Sequence, residues 1–433
     1  MHPNLSFEQA PAISVPFRFL LTAPWFGVAA GLLLAAAGDL ALATRWSPPA
    51  LALTHLLVVG FMLQAMTGAL FQFVPVAAGG NVWRPRLVAG VVHPLLLIGA
   101  IVLAAGFMSD AGWPLRLAAV VFLPTIALLA AVIGTALWRT PARGATLQAL
   151  RLAVVGLLAT AMFGGLLAEG LAGRHSWPLA AIADVHAAWG LGAWALTLLA
   201  GVSYFVVPMF QLTPPYPDRL ARLLPIVFLL AVAGWTTQLF GGNRVLADLA
   251  GSAGLVAAAI YGGLTLRLQS QRRRKVADPT FWFFRIAMVC LLAVPLSAAA
   301  FAAVPVLAEE VQVAWWYGAL VLSGIFVSVI NGMLYKIVPF LNWLHLQRLI
   351  GLGGMPPSMK EMIPDRAMWG QLRLHALALA LLLAAASWPP LVRPAGLLFA
   401  ASCGWLGANL LGALRVYRRV RDRIALAGAN PAP

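Results

Sequence analysis

An all-α membrane protein of twelve spanning helices, arranged as three pseudo-symmetric four-helix arcs, is the fold class this sequence predicts. Three observations predict it. Hydrophobic residues make up 62% of the 433 residues and charged ones only 10%, too few charges to cover the surface of a soluble protein. The chain contains twelve apolar runs, at about 18–43, 51–77, 88–108, 115–137, 147–171, 185–209, 220–241, 246–266, 281–304, 313–340, 370–388 and 393–414. Most reach the roughly 20 residues a bilayer requires. Finally, one eight-residue signature occurs three times: Gly68-Ala-Leu-Phe-Gln-Phe-Val-Pro75, Gly201-Val-Ser-Tyr-Phe-Val-Val-Pro208 and Gly332-Met-Leu-Tyr-Lys-Ile-Val-Pro339.

Each copy has Gly, an aromatic residue at the fourth place, and Val before a closing Pro, and the prolines lie 133 and 131 residues apart. A fixed period marks a repeated architectural unit, here long enough for four spans. The arcs are expected at about 18–137, 147–266 and 281–414 within one transmembrane domain, residues 1–433. The first run is too long and wrongly flanked for a cleaved signal peptide. Glycine in the signature admits a neighbouring helix, and the proline ends or bends its own.

The net charge of +16 follows topology. Connections after the even-numbered spans carry most of the Lys and Arg, with dense groups at Arg272, Arg273, Arg274 and Lys275 and from Arg415 to Arg423. Those after odd-numbered spans carry only Arg45, Arg116, Arg174, Arg244 and Arg393. This bias predicts a bacterial inner (cytoplasmic) membrane protein with both termini cytoplasmic. The basic residues are expected to meet lipid headgroups, not nucleic acid. Cys290 and Cys403 lie inside spans and offer neither a disulfide framework nor a paired metal motif. No phosphate-binding loop or hydrolytic triad is legible.

The histidines carry the chemistry. His55 stands 20 residues before Pro75 and His186 stands 22 before Pro208, whereas Tyr317 and Ala319 occupy those places in the third copy. Ionisable side chains within membrane helices are costly and mark function. Histidine is the cheapest of them, since it is neutral near pH 7, and neutral imidazole is a standard axial ligand of haem iron. Asp184, two residues before His186, either orients that imidazole or caps the sixth helix. His93, His345 and His375 fall on the opposite side by this topology, either as a joint metal site or as interfacial and loop residues. Gln64 and Asn331 are expected to hydrogen-bond across helices, and Lys336 to snorkel to the cytoplasmic surface. Met355, Met359, Met362 and Met368 offer thioethers of the kind that suit Cu(I), or apolar contacts at the membrane interface.

The run His55-Leu-Leu-Val-Val-Gly60-Phe61, then Gly68, Val74-Pro75 and Gly79, resembles helix 2 of the catalytic subunit of the haem-copper oxidase superfamily. It is closer still to the NnrS-like haem- and copper-containing membrane proteins linked to nitric oxide response. Phe17-Arg18-Phe19 partly matches the Phe-Arg-Pro-Phe of that group. The resemblance implies the three-arc plan, haem b with copper as a further metal, and His55 as an axial ligand. His186 then serves either as the second ligand or as the ligand of a separate metal.

It also implies a role in nitric oxide response, electron transfer or respiratory metabolism, with a respiratory or redox partner protein. The departures exclude a functional terminal oxidase. Tyr317-Gly318-Ala319 stands where a His-x-His pair belongs, residues 220–241 lack the adjacent copper histidines, and Gly190 stands where a tyrosine should follow His186. The competing expectation is a haem-free transporter or channel for copper or a small solute, since internal repeats and polar residues at mid-membrane depth suit transporters equally.

Overall fold

The computed structural model describes residues 7–173, 175–274, 276–310, 312–351 and 355–429. It is helical, with no β-strand among the described residues. Twelve helices are long and apolar enough to cross a membrane: α1 Ser14–Ala37, α2 Pro48–Ala77, α3 Pro85–Phe107, α4 Trp113–Arg139, α5 Ala145–Gly173, α6 Leu179–Gln211, α7 Asp218–Phe240, α8 Arg244–Ser270, α9 Pro279–Ala303, α10 Val313–Ile350, α11 Asp365–Ala384 and α12 Pro389–Leu426. Every apolar run of the sequence becomes one of them, because helices are the one open-ended structure that satisfies its own backbone in hydrocarbon.

The chain divides into two compact units. Unit 1 comprises Met1–Pro11, Ala69–Lys275 and Met288–Glu310, and unit 2 comprises Ala12–Gly68, Val276–Ala287 and Val311–Pro433. In unit 1, α3, α4 and α5 pack in succession, α5 also packs on α6, and α7 packs on α8. In unit 2, α1 lies along α12, which also meets α10 and α11. Small residues set the α1–α12 approach: a β-carbon on Gly31 would stand 2.6 Å from the Ala400 backbone nitrogen, and one on Gly396 would stand 2.8 Å from the Gly31 carbonyl. At the end of α1, Gly38 adopts φ +56°. The Arg393 guanidinium fills the space beside it and donates to the Ala35 and Ala36 carbonyls.

Each signature glycine sits where a neighbour comes close. An added β-carbon would stand 2.9 Å from Phe19 Cβ at Gly68, 2.6 Å from Ala149 Cβ at Gly201 and 2.9 Å from Phe283 Cβ at Gly332. The prolines act less uniformly. Pro75 and Pro208 stand within three residues of their helix ends, but α10 runs on from Pro339 to Ile350. It is held there by α12, through Asn342 donating to the Ala413 carbonyl and the Tyr417 hydroxyl 3.0 Å from His345 Nδ1. His345 is therefore a helical residue.

The backbone repeats a second feature. α2, α6 and α10 each contain a π-helical stretch, Leu56–Leu63, Trp189–Leu196 and Ala319–Val327. Each ends twelve residues before the signature proline, and a fully buried polar residue follows each: Gln64, Thr197 and Ser328. Wider helical turns of this kind are rare and concentrate at functional sites.

Lys336 is not a snorkelling residue. Its ammonium lies 2.6 Å from an Asp278 oxygen, and both side chains are less than one-fifth exposed. Asp278 also starts α9, accepting from the Thr280 hydroxyl and the Phe281 N–H. Burial by itself would raise the Asp278 carboxyl, but Lys336, Thr280 and Phe281 outweigh it and hold the group below the ordinary carboxylate value. A depressed carboxylate stabilises the fold above its unfolded pKa, and that contribution is lost as pH falls through the folded value. Thermal unfolding in detergent at neutral pH should show Lys336→Met destabilised by about 3 kcal/mol, the cost of leaving a buried charge unpaired. Below about pH 4 the gap between the variant and the parent should close.

Candidate functional site

His55 is the last α-helical residue before the π-helical stretch of α2 and belongs to unit 2. Its Nδ1 lies 2.8 Å from the Leu51 carbonyl one turn back. A carbonyl can only accept, so Nδ1 carries the proton and a neutral ring keeps its lone pair on Nε2. His186 belongs to unit 1, three residues before the π-helical stretch of α6. Its Nδ1 lies 3.0 Å from the Thr160 carbonyl of α5, which selects the same tautomer. Gly164, one turn along α5, makes room for the ring: a β-carbon there would stand 3.1 Å from His186 Cε1.

Both imidazoles are partly buried. Each has Nδ1–H anchored to a backbone oxygen, an arrangement that metal-bound histidines also use. Thr160 and Gly164 were not legible as site residues, because a backbone carbonyl and a missing β-carbon leave no chemical mark in a sequence.

Asp184 does not cap α6. The helix begins at Leu179 after Pro178, and Asp184 lies inside its second turn. The cap reading fails because the helix starts earlier than the apolar run suggests, across Leu179-Ala-Ala-Ile182. His186 Nδ1 takes the Thr160 carbonyl as its anchor.

His93 is on α3 in unit 1, partly buried and directly before Pro94. His345 and His375 are in unit 2 with different partners. His345 meets the Tyr417 hydroxyl, whereas His375 is fully buried, with Nε2 2.7 Å from Ser328 Oγ and its ring against Phe283. Ser328 and His345 stand seventeen positions apart on α10, about 25 Å, so the two imidazoles do not form one ligand set. Met362 and Met368 are buried while Met355 and Met359 are exposed, so the four methionines do not act as one group.

Gln64 and Asn331 differ from expectation. Both are fully buried, and neither the nitrogen nor the oxygen of either amide has a hydrogen-bond partner among the described residues. Flanking side chains on α2 and α10 are apolar and supply nothing to bond. In unit 1 more of the buried polar groups are paired: Tyr261 donates to Ser203, the Tyr216 hydroxyl meets Thr265, and Gln269 donates to Gln211, while the Tyr204 hydroxyl and the Gln269 amide oxygen have no partner among the described residues.

Unit 2 also contains a partly open cavity of about 350 Å³, lined by residues from the end of α1 and the segment after it, the starts of α2 and α10, and α11 and α12, among them Arg45, Thr54, Leu57, Trp315, Ser323 and Phe399. This size falls within the range of ligand pockets.

A porphyrin brings its own equatorial ligands and asks the protein only for axial ones, and imidazole is the side chain of that kind at His55 and His186. Among the described residues no group of three or more His, Cys, Asp or Glu side chains gathers as a metal cluster. Neither a protein-family model nor a curated protein matches the chain.

If the carbonyl contacts set the tautomers, ¹⁵N spectra of histidine-labelled protein, assigned through His55→Gln and His186→Gln, should give protonated Nδ1 and bare Nε2 for both rings near pH 7.5. Protonated Nε2 at either residue would contradict the geometry.

Proposed function

We propose that the chain is a haem b-binding membrane protein of the haem-copper oxidase superfamily, similar to the NnrS-like proteins and lacking the oxidase centre. The observation that carries this reading is the matched pair of imidazoles. His55 stands one residue and His186 three residues before π-helical stretches that fall at the same place in repeat-related helices, and each has Nδ1–H tied to a carbonyl. Haem bound there supplies one-electron chemistry and an iron that takes small diatomic ligands. The chain's part is to hold the imidazoles neutral and oriented, through Leu51 on one side and Thr160 with Gly164 on the other. His55, in unit 2, is an axial haem ligand in this reading, and His186, in unit 1, is a ligand of haem or of a second metal, copper included.

The role is nitric oxide response, electron transfer or respiratory metabolism beside a redox partner protein, not terminal oxidation. The helices are taken as three arcs in a bacterial inner membrane with both termini cytoplasmic, a reading supported by the charge bias of the connections.

A haem-free transporter or channel is the second reading, favoured by the cavity of about 350 Å³ in unit 2. Absorption spectra of the purified protein, oxidised and reduced, separate the two. The haem reading expects a Soret band that shifts on reduction, iron near one equivalent or more per chain, and loss of most of the band in His55→Ala. A colourless, iron-free protein that moves copper supports the alternative. On topology, a reporter fused after residue 429 should read cytoplasmic, and a periplasmic signal would reverse every depth assigned from the charge bias.

A further inference from the structure

α12 is longer than a membrane requires. Its 38 residues, Pro389–Leu426, extend about 57 Å, against about 40–45 Å for a bilayer with its headgroups. Trp388, just before its start, is exposed and of the type that gathers at a membrane interface, so the surplus lies at the C-terminal end. That end is held to unit 2: Asn342 donates to the Ala413 carbonyl, the buried Tyr417 has its hydroxyl 3.0 Å from His345 Nδ1, and the short helix Met359–Met362 packs against it. It is also strongly basic. Arg415, Arg418, Arg419, Arg421 and Arg423 stand there with Asp422 as the one acidic residue among them.

Three of these arginines share a stripe. Arg415, Arg419 and Arg423 follow one another at intervals of four, about 6 Å apart on a helix, and all are exposed. Like charges at that spacing oppose the helix that carries them. Other exposed arginines keep a carboxylate of their own, as Arg116 does with Glu169, Arg222 with Asp218 and Arg244 with Asp248. Asp422 is taken by Arg421 at 2.7 Å, whose guanidinium also lies 5.9 Å from the centre of the Tyr417 ring. Among the described residues Arg415, Arg419 and Arg423 are in no ion pair. Depth says which anion can reach them. Counted from Val392, the first α-helical residue of α12, they stand about 35, 41 and 47 Å along the axis, outside the roughly 30 Å hydrocarbon core and across the level of the headgroups. Leu349, four positions beyond His345, and Met359 are exposed at the same end, apolar surface that suits a lipid better than a water-soluble acidic protein.

We propose that Arg415, Arg419 and Arg423 form a site for one phospholipid whose headgroup carries two phosphates. The planar fork of a guanidinium suits phosphate oxygens. Two neighbouring arginines clasp one phosphate, and the third meets the second phosphate of the same headgroup. A lipid with a single phosphate leaves one cation of the stripe uncompensated. This is a site on one face of one helix, with one lipid for each chain, and so differs from the general attraction of basic connections to a charged membrane. It is independent of whether His55 and His186 hold haem, and of which side of the membrane receives the end of α12.

The test is native mass spectrometry of the delipidated full-length chain in detergent, titrated with diphosphatidylglycerol, phosphatidylglycerol or phosphatidylcholine. The parent protein should take up one diphosphatidylglycerol per chain, in preference to phosphatidylglycerol and far ahead of phosphatidylcholine. A variant combining Arg415→Gln, Arg419→Gln and Arg423→Gln should bind diphosphatidylglycerol about a hundredfold more weakly, at about fivefold for each basic residue facing anionic lipid. Lysine at all three places, which keeps the charge without the fork, should recover part of the loss. Combining Arg272→Gln, Arg273→Gln and Arg274→Gln removes the same charge from a basic group of unit 1 and should keep the parent affinity. The substituted side chains are exposed, so all variants should melt as the parent does. Parent affinity in the first variant overturns the proposal, as does an equal loss in the unit 1 variant, the mark of net charge alone. Phosphatidylglycerol bound as tightly as diphosphatidylglycerol overturns it too, and so does polyglutamate that binds more tightly than either lipid, which would point to an acidic protein. None of these results bears on the haem reading, which the absorption spectrum decides.

Discussion

Hydrocarbon offers no hydrogen bonds, and the structure follows from that constraint. The chain meets it first with backbone: twelve helices bond their own amides along their length. It meets it next with side chains, in two ways. In unit 1 most of the buried tyrosines, threonines and glutamines are bonded between α8 and either α6 or the connection that follows it, so the polar groups there act as interhelical ties. In unit 2 several are left open, on α2, α10 and α11, beside a cavity. One set of groups holds helices together, while the other leaves bonds to be made by something the helices do not provide.

The same constraint accounts for the histidines. An imidazole in an apolar span must place its N–H somewhere. His55 uses the carbonyl one turn behind it, and His186 reaches the Thr160 carbonyl on the neighbouring helix, past a glycine that makes way for the ring. In a neutral ring, both arrangements place the proton on Nδ1. That the two lie ahead of matching π-helical stretches ties their chemistry to the repeat. The wider turn re-aims the side chains around it, and it recurs in the third repeat helix, where Ser328 instead takes up the fully buried His375.

The spans, their order and the signature glycines were legible in the sequence, because hydropathy and small-residue spacing are local properties that hydrocarbon reads directly. Helix ends were less so. α10 continues well past Pro339 because Asn342 and His345 are held by α12, a contact seventy positions away in the chain. Lys336 read as a surface-seeking lysine because its partner, Asp278, stands just before a different helix, α9. Gln64 and Asn331 read as interhelical bonders because a polar residue in a span is expected to find a partner, and nothing in the sequence shows that their neighbours cannot provide one.

By itself, then, the sequence determined the number of spans, the places where helices come close, and the residue types able to do chemistry, since each depends on composition and periodicity along one helix. Only the tertiary structure decided which polar groups are paired and which are open, that Nδ1 of both repeat histidines meets a backbone carbonyl, and that Ser323, Ser328 and His375 are connected. Those outcomes depend on carbonyls and missing side chains supplied by other helices, and a hydrogen bond has no direction until both of its ends are in place.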